Sequence, residues 1–383
     1  MSSKNEAFLK PLIDYNYLIY SRNQSTPTKD TFDQIAYHVY KNLKTLKLET
    51  PFHKETMINF DEYVYHFRNK LMTIDEEKDL KIYNKTVLNL LQHLDKAAKK
   101  QDYKNYKDAI FELDNLKETP IRNGLLQLIG IHGKFQQKTV KTKHISFDNF
   151  FEKLSEIGHP AIHRNKLSII DKIMRQFDND SFLMNIDFED SKCQKDIYTG
   201  MIDQNKIIVR TPKIKTLFDL KLFLGELSKA ILIFYRLLDS EFSDVRDGKL
   251  RALGVMVEQS LIELVCTKTE RHFITRIQML ENSYYSTLAL FEFDLQEKRK
   301  SPRDLFKDIM NPVFKVKDSD IWGPAITYHG NVMMSHYVPI GYIMYQNLKT
   351  IQKSEKLRKK NLGKWLKDSV LIRFKDIGID ALI

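Results

Sequence analysis

The chain has 383 residues, with 61 Lys and Arg against 50 Asp and Glu and a formal net charge of +11. Hydrophobic residues make up 42% and aromatics 11%, enough for a proper core, which excludes wholesale disorder. With 13 Gly and 10 Pro, a fibrous or turn-dense all-β protein is excluded too.

The first 24 residues show no apolar h-region and no small-residue cleavage site, so no secretory signal is expected. Helical patterning then dominates. Residues 37–48, 60–71 and 79–98 place apolar side chains at three- and four-residue spacings. In the third, Leu80, Val87, Leu88, Leu91 and Leu94 make one stripe, with Lys and Asp on the other faces. Helices at 103–116 and 120–136 follow, the latter opened by Thr119-Pro120. The polar, basic stretch 137–146 reads as a linker, which divides an N-terminal helical region, 1–146, from a region spanning 147–383. A second helical block, 147–177, is broken at Gly158-His159-Pro160. The pattern changes over 179–211, where 182–186, 197–201 and Ile207-Ile208-Val209 read as short strands. From Leu217 the helical period returns and, except around 301–322, runs to the end. The fold class is therefore mainly α, with a small β-sheet inserted near 182–211.

No apolar run reaches the ~18 residues a membrane span needs. The nearest, 217–238, is interrupted by Asp219, Lys221, Glu226, Lys229 and Arg236, so no membrane insertion is expected. Cys193 and Cys266 belong to no C-x-x-C or Cys/His cluster, which argues against a disulfide framework or zinc finger and for a reducing, cytoplasmic setting. Lys and Arg are interspersed with Asp and Glu, and only 353–367 forms a dense basic block. It reads first as the solvated face of a helix and second as a nucleic-acid-binding stripe.

The order of pieces between 186 and 264 carries the most information. An acidic–lysine turn (IDFEDSK) is followed by Tyr198-Thr199-Gly200, a short apolar strand and the helix FDLKLFLGELSKAILIF. A further helix contains Met256-Val257-Glu258-Gln259-Ser260-Leu261-Ile262-Glu263. This order resembles the catalytic half of the oligoendopeptidase F and thimet oligopeptidase family of zinc metallopeptidases. The resemblance covers roughly residues 147–348. In that family a strand lining the cleft precedes a helix bearing H-E-x-G-H-A, then a helix patterned E-x-x-S-x-x-x-E. A late substrate-binding segment, a His followed by a Gly/Tyr-rich run, has its counterpart in HGNVMMSHYVPIGYIMY, with His329, His336, Tyr337, Gly341, Tyr342 and Tyr345. The resemblance implies a helical fold of the gluzincin, oligopeptidase type.

Zinc peptidase chemistry needs two neutral imidazoles at i and i+4 on one helix face, a third ligand from a neighbouring helix, and a Glu beside the metal-bound water. The resemblance puts Glu226 at the general-base position but Gly225 and Lys229 at the two histidine positions. Met256 falls at the third-ligand position, or Glu258 if the register slides by two, with Glu263 nearby. Glycine offers no ligand and a protonated lysine repels a dication, so no metal and no cofactor are expected. Gly225 costs about 1 kcal/mol relative to Ala inside a helix and wants a reason, either close packing or space a ligand once filled. Lys229, one turn from Glu226, is expected to neutralise Glu226 and Glu263 near the old metal position. On this reading the chain is a pseudo-metallopeptidase that holds a peptide or protein segment in a cleft lined by the His/Tyr cluster.

Blander readings stand beside these. His159 and His163 have ligand spacing but read as loop histidines about a helix-start Pro, and the His/Tyr cluster serves equally well as core aromatics. Asp239, Glu241, Asp244 and Asp247 read as a solvated loop. No phosphate-binding Gly loop and no G-x-S-x-G is present. Two other functions remain open: a hydrolase with an unorthodox site at Glu226 with His329 or His336, and an all-α interaction protein that binds nucleic acid through 353–367.

Overall fold

The computed structural model describes residues 79–139, 164–175, 185–191, 197–203, 206–238, 247–297, 300–327 and 332–354, with 147, 150, 151, 154 and 160–162. The expected helices at 37–48 and 60–71 lie outside these residues, as do His159, His163, Asp239, Glu241, Asp244, His329 and most of the basic block.

The Leu/Val stripe of the first described helix, α1 (Leu80–Lys99), buries Val87, Leu90, Leu91 and Leu94. A short helix, α2 (Tyr106–Leu113), starts where Asn105 accepts a 2.9 Å hydrogen bond from the Asp108 amide, the expected work of an Asn N-cap. Next comes α3 (Glu118–Thr139), which runs through the first residues expected to be linker. After an extended stretch in which Ala161 bridges Thr216, α4 (Lys166–Met174) is capped by Asn165.

Three strands follow: β1 (Ile186–Asp190), β2 (Tyr198–Asp203) and β3 (Lys206–Thr211). They lie in the order β1-β3-β2, with β1 parallel and β2 antiparallel to β3. As the middle strand, β3 is buried over Ile207, Ile208 and Val209, which explains its unbroken apolar run. One expectation is corrected: IDFED is not a turn but β1. Its acidic residues meet cations on neighbouring elements, Asp187 with Lys206 at 2.6 Å, Glu189 with Arg210 at 2.7 Å and Asp190 with Lys166 at 2.8 Å.

The remaining helices are α5 (Leu217–Leu238), α6 (Asp247–Val265), α7 (Lys268–Gln296), α8 (Pro302–Met310), α9 (Trp322–Thr327) and α10 (Tyr337–Ser354), with a 3₁₀ turn at Ser319–Ile321. The stretch around 301–322, read as a break, is thus largely helical. Ser301 caps α8 and Pro302 sits in its first turn. A capping box opens α7: Thr267 and Glu270 satisfy each other's backbone amides, and Arg164 grips both oxygens of Glu270 at 2.8 and 2.9 Å.

The long α7 is the spine of the core. Phe147 and Phe150 stack on its Tyr284 with ring centres 4.8 and 4.4 Å apart, and α3 packs along its length. Helices from both sides of residue 146 therefore share one hydrophobic core. No helix among the described residues is long and apolar enough to cross a membrane.

Candidate functional site

The site expected from the sequence lies where α5, α6 and α7 meet beneath the edge strand β2. Helix α5 begins with a reciprocal cap, Asp219 Oδ2 accepting from the Thr216 amide at 2.9 Å while Thr216 Oγ1 accepts from the Asp219 amide at 3.1 Å. From that start, Leu217, Leu220, Phe223, Leu224, Leu227, Ala230 and Ile231 are buried. Amid this apolar surface Lys221 is buried as well, only 9% exposed.

Two acids flank it. The Lys221 ammonium makes a short ion pair with Glu281 of α7 and lies 3.8 Å from Glu258 Oε1 of α6. Gln278 Nε2 donates to the same Glu258 oxygen at 3.4 Å. Burial opposes the charged form of Lys221, but Glu281 and Glu258 more than offset that and hold its pKa above the ordinary lysine value. Burial likewise pushes Glu258 above the usual carboxylate range, with Glu281 adding to the shift against the pull of Lys221.

Gly225 faces this cluster. A Cβ built on it would lie 3.4 Å from Glu258 Oε2, so the carboxylate fills the space beside the glycine. The backbone carbonyl of Gly225 accepts from Ser228 Oγ at 2.7 Å. One position on, Glu226 pairs with Lys229 at 2.6 Å, and Thr199 Oγ1 of β2 donates to the Glu226 carbonyl at 3.4 Å. The edge strand, Glu226 and the Gly225/Glu258 contact are therefore neighbours.

Several expected positions fall elsewhere. The cation buried among the acids is Lys221 rather than Lys229, whose side chain is 58% exposed and binds Glu226 at the helix surface. Met256 is 1% exposed and packed in the core, while Glu258 is the α6 residue that faces Gly225. Glu263 is half-buried, further along α6.

The cleft-lining expectation is corrected for His336, Tyr337, Gly341 and Tyr345, all of which are buried. The His336 ring, with no exposed surface, stacks 5.7 Å from Phe111 and lies 5.5 Å from Phe293. Tyr337 donates a short hydrogen bond to buried Asp114. Gly341 does give a backbone close access, but to α6: its Cβ would fall 2.3 Å from the Ala252 carbonyl oxygen. Only Tyr342 of that group on α10 is half-buried. These residues belong to the core because α10 packs mainly on α6 and also on α7 and α3.

Sequence reasoning missed two buried acids of α7, Glu281 and Glu292. Glu292 Oε1 accepts from the Met333 amide at 2.7 Å and Oε2 from the Ser335 amide at 3.2 Å, which holds the turn before α10 where Met333 has φ of 60°. Burial raises its pKa to about 7, and the two amides and Arg251 offset only part of that. A carboxylate inside the apolar run LALFEF was the available signal.

No protein-family model and no curated protein matches the chain. A solved structure does. It is a PZ peptidase A bound to an inhibitor, 10% identical in sequence, with a TM-score of 0.57 over 99% of this chain and 84% of that one. The fold is similar to that of a peptidase. This agrees with the helical, metallopeptidase-like architecture implied by the order of elements.

The zinc family that the sequence resembles implies a metal, and the donors at its expected ligand positions decide whether one fits. Gly225 supplies none, Lys229 supplies a cation, and Met256 is enclosed. Glu226 and Glu258 remain, and the ammonium of Lys221 already lies on Glu258. Two carboxylates with a lysine between helices do not make the three-ligand N/O set zinc needs. Among the described residues, no group of three or more His, Cys, Asp and Glu side chains is arranged to hold a metal ion.

Proposed function

We propose that this chain is a non-catalytic relative of the oligopeptidase-type metallopeptidases, one that binds an extended peptide or protein segment without cutting it. The observation that supports this is the make-up of the α5 face that the resemblance assigns to metal binding: it carries Gly225, Lys229 and the ion cluster Lys221–Glu258–Glu281. Without a metal, neither the polarised carbonyl nor the activated water of a zinc peptidase is available. Glu226, which the resemblance puts at the general-base position, is engaged by Lys229.

Binding is supported by the sheet. In the order β1-β3-β2, strand β2 lies at the edge of the sheet among the described residues, and its Thr199 adjoins Glu226. An extended peptide gains main-chain hydrogen bonds by adding to such an edge. The buried Cys266 thiol and the absence of a spanning helix among the described residues are compatible with the cytoplasmic setting proposed from the cysteine usage.

The test uses the full chain and a fluorescent library of eight-residue extended peptides, read by anisotropy, with mass spectrometry of the same mixtures. The expected result is saturable binding, intact peptide after prolonged incubation, and at least tenfold weaker binding when alternate peptide nitrogens are methylated. Cleavage of the bound peptide, lost in Glu226→Gln, would instead establish the hydrolase reading. An absence of any binding peptide would remove the cleft from the proposal.

A further inference from the structure

Buried lysines are rare, and this one is placed with unusual economy. Lys221 stands one helical turn before Gly225, so its side chain runs along the α5 face that a metal-binding helix would turn toward its ligands. Its ammonium touches carboxylates from two other helices, Glu258 of α6 and Glu281 of α7. Both acids are nearly enclosed, their side chains 13% and 12% exposed. Opposite Glu258, Gly225 contributes no atoms beyond its backbone.

We propose that Lys221 is a built-in cation that occupies the place of a dication: it closes the carboxylate site, and removing its ammonium opens that site to an exogenous cation. This rests on the proposed kinship to metallopeptidases for the place of the dication, and stands whether or not a peptide is bound. The physics is that of a buried ion pair. Two carboxylates drawn from different helices repel one another and lose water on burial, and the fold holds both charged only with a positive charge between them. A metalloprotein supplies that charge from solution and depends on the metal for stability. Here the chain supplies it through a side chain, and α5, α6 and α7 are tied together at the same point. Lys229 does not serve this purpose, because its ammonium sits outside on Glu226.

The test is Lys221→Ala in the full chain. Loss of one partner of a buried pair, with the others left charged, lowers the melting temperature by on the order of 10 °C. Millimolar n-propylammonium, which replaces the deleted atoms, and Mn²⁺, which replaces the charge, are then added separately. The expected result is that at least one restores half or more of the loss, that Mn²⁺ binds the variant at least tenfold more tightly than the parent by calorimetry, and that neither cation shifts the parent. The triple variant Lys221→Met, Glu258→Gln, Glu281→Gln removes every charge of the cluster. It is expected to melt within a few degrees of the parent without added cation, and it carries the test should Lys221→Ala fail to fold. The inference is overturned if Lys221→Ala melts like the parent, if neither cation recovers stability, or if the triple variant is as unstable as the single one.

Discussion

Two glycines on the helices around the site should respond to alanine in opposite directions. A methyl group at Gly225 would meet Glu258 Oε2 at 3.4 Å and Cδ at 3.6 Å, ordinary contact with the end of a side chain. Alanine is favoured over glycine by about 1 kcal/mol inside a helix. Nothing in the surroundings consumes that gain, so Gly225→Ala is expected to stabilise the fold by about 0.5–1 kcal/mol. At Gly341 the methyl would fall 2.3 Å from the Ala252 carbonyl oxygen and 2.9 Å from Val255 Cβ. Backbone of α6 or α10 must then move, and overpacking of that kind costs about 1–3 kcal/mol or more. Gly341→Ala is therefore expected to lose stability despite its better helix propensity. Thermal unfolding of both variants reads the difference directly, at roughly 2–4 °C per kcal/mol for a chain of this order of size. A loss of more than about 1 kcal/mol in Gly225→Ala would show that close packing requires the glycine, and would refute the reading of Gly225 as a ligand position that no longer carries a ligand.

Glu292 gives a pH dependence with a definite sign. Its pKa is about 7 in the fold against 4.5 unperturbed, so the folded state holds the extra proton between these values. Its contribution is thus fully present below pH 4.5 and lost as pH rises to 7, a change of about 3 kcal/mol by linkage. Glu292→Gln, compared with the parent by urea denaturation at pH 5 and pH 8, should flatten that part of the profile. An unchanged profile would contradict the assignment. Burial pushes the Cys266 thiol up to about 12, so in a Cys193→Ser background it should resist a thiol reagent at pH 8 until the chain is unfolded. Rapid labelling of the native protein would show the site is open. Lys229→Met removes the exposed end of an i,i+3 pair with Glu226 and should cost less than about 1 kcal/mol, so a larger loss would return to Lys229 the role proposed for Lys221.

Much of the architecture was legible because long amphipathic helices write their period plainly. Residues 79–98 became Leu80–Lys99, and the apolar Ile207–Val209 became the centre of the middle strand. Strand β1 was missed because its acidic residues hide a period-two pattern, with Ile186 buried and Phe188 half-buried between carboxylates that pair across to other elements. At the site, the sequence pointed to Gly225, Glu226 and Lys229 on α5 and offered Glu258 on α6. It did not point to Lys221, although that lysine shares a face with buried Leu217, Leu224 and Ser228, where a charge must find a partner. Nor could it give Glu281, since nothing local says that a residue of α7 turns toward α5. The His/Tyr segment failed for a related reason. Its Gly341 and its aromatics have the composition of a ligand-binding segment, yet the same composition suits a helix pressed against another.

The most direct measurement is zinc stoichiometry on the purified full chain after equilibration with excess zinc and gel filtration, alongside mass spectrometry of a peptide mixture incubated with the same sample. Zinc well below one ion per chain and uncut peptides are expected if Gly225, Lys229 and Lys221 have displaced the metal. One zinc retained per chain, with cleavage that disappears in Glu226→Gln, would contradict it.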